Sequence, residues 1–134
     1  WIVYWHGAPL CWGSRKQKSI ALSSCESEIV ALSEAAKEVI YLRKFVRGLV
    51  PSLPESPTVL STDNKAARDL SYNPEHHDRS KHIARRHFFI RDMVEAQEIV
   101  VPLVSTEDND ADFFTKPLPP KRFKMLRRKV MNLR

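Results

Sequence analysis

Apolar positions alternate in short bursts at the start of the chain and then settle into a helical period. Residues 2–4 and 9–12 are rich in β-branched and aromatic side chains and are split by His-Gly-Ala-Pro, a turn signal, so the pattern predicts an antiparallel hairpin. A third short strand is expected at 18–22. From Ser23 the period changes. Ser23 and Glu26 have capping-box spacing, Ile29, Leu32, Ala36, Val39 and Phe45 form one stripe, and Gly48 stands where a helix could stop. The three prolines of 50–57 force a surface connection.

Residues 59–62 predict a short buried strand, after which Asp63 is a candidate N-cap for a short Ala-rich helix. The polar stretch 73–80 predicts a loop. Residues 81–96 predict a helix with Ile83, Ile90 and Val94 on one side, and 98–105 predict another strand. An acid-rich helix is expected from the Ser-Thr-Glu-Asp-Asn-Asp-Ala-Asp stretch at 105. Lys-Pro-Leu-Pro-Pro then separates it from a terminal helix whose stripe is Phe123, Leu126, Val130 and Leu133. Strands and helices in this order predict a mixed α/β domain over 1–119 followed by a basic helix over 120–134.

Charge refines the end of the chain. The net charge is +6, yet seven of the 22 Lys and Arg residues lie within 121–134 with no acid among them, so the remainder is nearly neutral. Lys121, Arg122, Lys124, Arg127 and Arg128 are candidate phosphate contacts, on a helix expected to dock by its apolar stripe. No apolar run approaches membrane-spanning length and no secretory signal opens the chain, which predicts an intracellular protein without a membrane partner. Cys11 and Cys25 form no motif and are expected to be reduced. His76, His77, His82 and His87 lack cysteine partners at ligand spacing, which argues against zinc.

Three acids carry the candidate chemistry. Glu28, Asp63 and Asp112 each fall near an expected helix start beside an expected strand. Capping or the helix dipole explains each one alone. Ligands, however, gather where strand ends meet helix starts. If the strands share a sheet, the three carboxylates converge and call for a divalent cation to relieve their repulsion.

Four segments in order carry a family resemblance. SRKQKSIALSSCESEIVALSEAAKE, STDNKAA, SKHIARRHFFIRD and STEDNDADFFTKPLPPKRF resemble successive motifs of the ribonuclease H domain of copia-type LTR-retrotransposon polyproteins. The resemblance runs along nearly the whole chain. It implies a ribonuclease H-like fold, a mixed sheet flanked by helices, and cleavage of the RNA strand of RNA–DNA hybrids. It further implies two Mg²⁺ ions, about 3.5 to 4 Å apart in such sites, with Glu28, Asp63 and Asp112 as metal ligands and catalytic carboxylates.

The family opens with an Asp-bearing strand that has no counterpart here, and Ala84, His87 and Phe88 replace its Asp, Tyr and His. The expectation is therefore an N-terminally truncated domain with three of four carboxylates and impaired cleavage on its own. The alternative is an inactive module that binds, or serves as a structural subunit, and pairs its exposed sheet edge with another chain.

Overall fold

The computed structural model describes residues 1–17, 21, 23–52, 56–73 and 81–133, the side chains of 81–83 excepted. The expected third strand at 18–22, apart from Ala21, and the 73–80 loop after Asn73 lie outside the described residues. So do His76, His77 and the side chains of His82 and Ile83.

Strand β1 (Ile2–Trp5) pairs antiparallel with β2 (Ala8–Trp12). The turn between them places both His6 (φ 48°) and Gly7 (φ 80°) in the left-handed region, as tight hairpin turns require. Pro9 cannot donate to a ladder, and the register shifts beside its partner Tyr4. The hairpin closes where Trp1 and Gly13 exchange two backbone hydrogen bonds of 2.9 Å. A Cβ on Gly13 would stand 2.6 Å from the Trp1 ring, so a side chain there would force that ring to shift.

Helix α1 (Ser24–Leu49) starts as its capping pattern predicts, with the Ser23 side chain accepting from the Glu26 N–H. It does not stop at Gly48, which is the penultimate helical residue; Val50 is the C-cap. Ile29, Leu32, Ala36 and Val39 are buried as expected, whereas Phe45 is exposed. The stripe at Phe45 continues past the packed body, so periodicity alone overestimates the buried length.

Strand β3 (Thr58–Val59) runs parallel to β4 (Ile99–Val100). The ladder continues irregularly to a Thr62–Leu103 bridge, with Leu60 N–H on Val100 O and Thr62 N–H on Pro102 O. Leu60 and Thr62 are buried but Val59 is exposed, so only one face of the expected buried strand is covered.

Between these strands lie α2 (Lys65–Tyr72) and α3 (Lys81–Glu95). Ala67 and Ile90, both fully buried, join the α1 stripe, Ile99 and Val101 in one core. The acid-rich segment forms not an α-helix but two 3₁₀ turns, Thr106–Asp108 and Asp110–Phe114, because Asn109 interrupts and caps the second. Helix α4 (Pro120–Val130) docks through Leu126 and Val130, while Phe123 and Leu133 of its expected stripe are exposed.

The architecture is thus mixed α/β, with four helices among the described residues. Among the described residues the strands do not share one sheet: β1–β2 and β3–β4 are separate two-stranded sheets, with a cavity of about 360 Å³ bordered by both.

Ile90→Ala removes a fully buried side chain and is expected to cost about 2–5 kcal/mol in urea unfolding. Phe45→Ala, at an exposed site, is expected to stay within about 0.5 kcal/mol of the parent.

Candidate functional site

Thr62 and Asp63 end the irregular β3 ladder, and the chain turns there into α2. The N-cap of α2 is Asn64, not the expected Asp63: the Asn64 side chain accepts from the Ala67 N–H at 3.1 Å. Asn64 is held by its own N–H, which donates to Thr62 Oγ1 at 3.2 Å. Capping by Asn64 leaves the Asp63 carboxylate free of helix duties.

Glu28 lies just inside the N-terminal end of α1, facing this junction. Thr62 Oγ1 donates to Glu28 Oε2 at 3.3 Å, tying α1 to the strand end. Asp112 arrives from the second 3₁₀ turn and is 3% exposed. A carboxylate this deep needs cationic partners. Lys116 Nζ supplies one at 2.8 Å and the Arg122 guanidinium of α4 another at 3.2 Å.

Lys116 also reaches Asp63 Oδ2 at 3.6 Å. One ammonium therefore bridges two of the three acids, and hydrogen bonding to Asp112 pushes its pKa up. Glu28 feels both other acids. Burial first, then the Asp63 charge, raises its pKa above the ordinary carboxylate range; the Thr62 hydrogen bond and Lys116 pull it back, and Asp112 adds to the rise. Glu28, Asp63 and Asp112 are thus electrostatic neighbours, and Glu28 and Asp112 line one end of the cavity.

Among the described residues, no group of three or more His, Cys, Asp or Glu side chains is arranged to hold a metal ion as it stands. The Lys116 ammonium stands between Asp63 and Asp112. Hard carboxylate oxygens suit Mg²⁺, and three carboxylates here face two cations, Lys116 and Arg122. The donor chemistry fits a divalent cation on condition that Lys116, half exposed on a flexible stem, swings away.

Three residues missing from the sequence-based set shape this corner. Lys116 was legible as the i+4 partner of Asp112. Tyr4 donates to Asp110 at 3.0 Å, and Lys129 bonds the same carboxylate at 2.7 Å, a link of hairpin to α4 that no local pattern announces. Burial and that hydrogen bond raise the Tyr4 pKa.

Of the candidate phosphate contacts, Lys121, Lys124, Arg127 and Arg128 are exposed on α4. Arg122 instead turns inward, to Asp112 and the Thr106 carbonyl. His87 also serves the fold, with Nε2 2.6 Å from the Leu70 carbonyl.

The charge balance generates two expectations. A carboxyl whose folded pKa is raised loses stability as pH climbs from its unfolded pKa of about 4.3 through the folded one. Glu28→Gln is therefore expected to raise the melting temperature of the metal-free protein at pH 7, with the gain vanishing below about pH 4. Lys116→Ala is expected to cost about 1 kcal/mol in EDTA, since Arg122 still faces Asp112 and the lysine is half exposed. In return, MgCl₂ should stabilise this variant more than the parent in a thermal-shift titration.

The chain is 36% identical over 130 residues to the retrovirus-related Pol polyprotein from transposon TNT 1-94 of Nicotiana tabacum, covering 97% of this chain. It is 37% identical over 130 residues to that from transposon RE2 of Arabidopsis thaliana, and 34% identical over 120 residues to the transposon Ty1-NL2 Gag-Pol polyprotein of Saccharomyces cerevisiae. It spans about a tenth of the length of these relatives: 10%, 9% and 7% respectively. No protein-family model and no solved structure matches it. The homologues of this chain are retrotransposon Pol polyproteins, and the chain corresponds to one region of them.

Proposed function

We propose that this region is a ribonuclease H-like domain of a retrotransposon polyprotein, built to cleave the RNA strand of RNA–DNA hybrids with Mg²⁺. The observation that carries the reading is the meeting of Glu28, Asp63 and Asp112, from three distant parts of the chain, at one strand end. The motif resemblance and the polyprotein homology support it.

Glu28, Asp63 and Asp112 would hold the metal, which when bound supplies charge neutralisation and a water of lowered pKa. The chain's own residues do the positioning. Thr62 fixes the Glu28 carboxylate by its hydrogen bond, Asn64 takes over the helix cap so that Asp63 stays available, and Arg122 anchors Asp112 from α4. Lys116 keeps the acids together while no metal is bound, holding Asp112 and Asp63 with one ammonium. The exposed cations Lys121, Lys124, Arg127 and Arg128 lie on the helix that Arg122 ties to the site, where they can meet the phosphates of a hybrid.

The test joins residues 1–134 to the stretch that precedes the matched region in the tobacco polyprotein, and presents a labelled RNA–DNA hybrid in MgCl₂. Mg²⁺-dependent cleavage is expected, reduced about a hundredfold or more by Asp63→Asn. A well-folded fusion that leaves the hybrid intact at millimolar Mg²⁺ overturns the proposal.

A further inference from the structure

Strand β2 alternates exposed Ala8, Leu10 and Trp12 with half-buried Pro9 and Cys11, so Trp12 belongs to the outer face of the hairpin. It is 58% exposed. Phe114 nevertheless stacks on its ring, with centroids 6.4 Å apart and planes 10° from parallel. Phe114 meets Phe113 edge-on at 5.3 Å, and Phe113 in turn stacks on Phe123 of α4 at 5.4 Å and 21°. Four rings thus form one continuous row from β2 to α4, open to solvent at both ends, since Phe123 is 42% exposed. A single exposed ring needs no explanation, but a contiguous row does.

The second 3₁₀ turn divides its side chains between two tasks. Asp110 is held by Tyr4 and Lys129, and Asp112 goes inward to Lys116 and Arg122, while Phe113 and Phe114 join the row. Both acids of the turn are therefore already paired. At the Trp12 end, the Ser14 hydroxyl donates to the Phe114 carbonyl at 2.9 Å. That bond fixes the chain beside the row just before the exposed Arg15 and Lys16. At the other end, the exposed Lys124 and Arg127 follow Phe123 by one residue and by one helical turn. Cations stand at both ends of the rings.

We infer that this row is a stacking platform for the unpaired bases of a single-stranded nucleic acid, Trp12 taking a base on its open side and the flanking cations taking phosphates. Rings and cations in one line match the two faces of a nucleotide, its flat base and its charged backbone. An acidic peptide would satisfy the cations and leave Trp12 without a flat partner. A duplex keeps its base faces within its own stack, so this ligand differs from the hybrid proposed for the three acids. The inference does not rest on that proposal: stacking needs neither metal nor cleavage.

The test uses residues 1–134 in EDTA, so that no metal-dependent cleavage enters, with a fluorescein-labelled oligothymidylate of about 8 nucleotides followed by anisotropy. Binding that weakens as salt rises is expected. Trp12→Ala is expected to weaken it about tenfold or more, and Trp12→Phe to restore most of the loss. Trp5→Ala, which removes an exposed ring outside the row, is expected to leave it unchanged. An abasic oligomer of the same length, tested on the unaltered chain, should bind about tenfold or more weakly than oligothymidylate, as should the fully paired duplex. Failure of the folded chain to bind oligothymidylate at low salt overturns the inference. Parental affinity in Trp12→Ala overturns it as well. Equal binding of the abasic oligomer would show a surface that reads charge alone, and equal binding of the duplex one that reads paired helices; either result also overturns it.

Discussion

Two-stranded sheets as small as these do not hold themselves together in water, so both depend on the buried face of α1. That face, running from Cys25 to Val39, packs with Leu60, Ile99 and Val101 of the parallel pair, Ala67 of α2 and Ile90 of α3, with Trp1 and Val3 of the hairpin against its side. The helix is a common support rather than one layer among equals. Its orientation determines where the β1 and β3 edges lie and carries Glu28 to the strand end.

Charge balance imposes the second constraint. Asp112 is almost fully buried and draws Lys116 and Arg122 to it; Asp110 does the same with Tyr4 and Lys129. These two carboxylates fasten α4 to the body more specifically than its short apolar stripe of Leu126 and Val130 could. The strongly basic terminal helix is thus partly neutralised on one face by the acids that form the site, while its other face keeps exposed cations.

Local chemistry was legible where a side chain acts on its own neighbourhood. The Ser23 cap, the α1 stripe up to Val39 and the docking of Leu126 and Val130 follow from spacing. Competition between adjacent residues was not legible. Asp63 and Asn64 are both good caps, and the choice fell to Asn64 because the Thr62 hydroxyl holds its backbone. Asn109 likewise broke an acid-rich segment into 3₁₀ turns where composition suggested an α-helix. Long-range facts were the least accessible. The separation of the two sheets and the bridging of two acids by Lys116 depend on tertiary approach, which no local window contains. The approach of Glu28, Asp63 and Asp112 was expected from one shared sheet, whereas among the described residues the strands form two, and Lys116 and the Thr62 hydroxyl link the three acids instead.

The handover of the helix cap from Asp63 to Asn64 separates two properties that usually travel together. Stability at this junction resides in the amide of Asn64 and the hydroxyl of Thr62, while the proposed metal-binding role falls to a neighbouring carboxylate that repels Glu28 and is held by Lys116. Folding therefore places little demand on Asp63. A descendant sequence could lose that carboxylate and still melt, express and fold like its parent, so the soundness of the scaffold is no proxy for the survival of its chemistry.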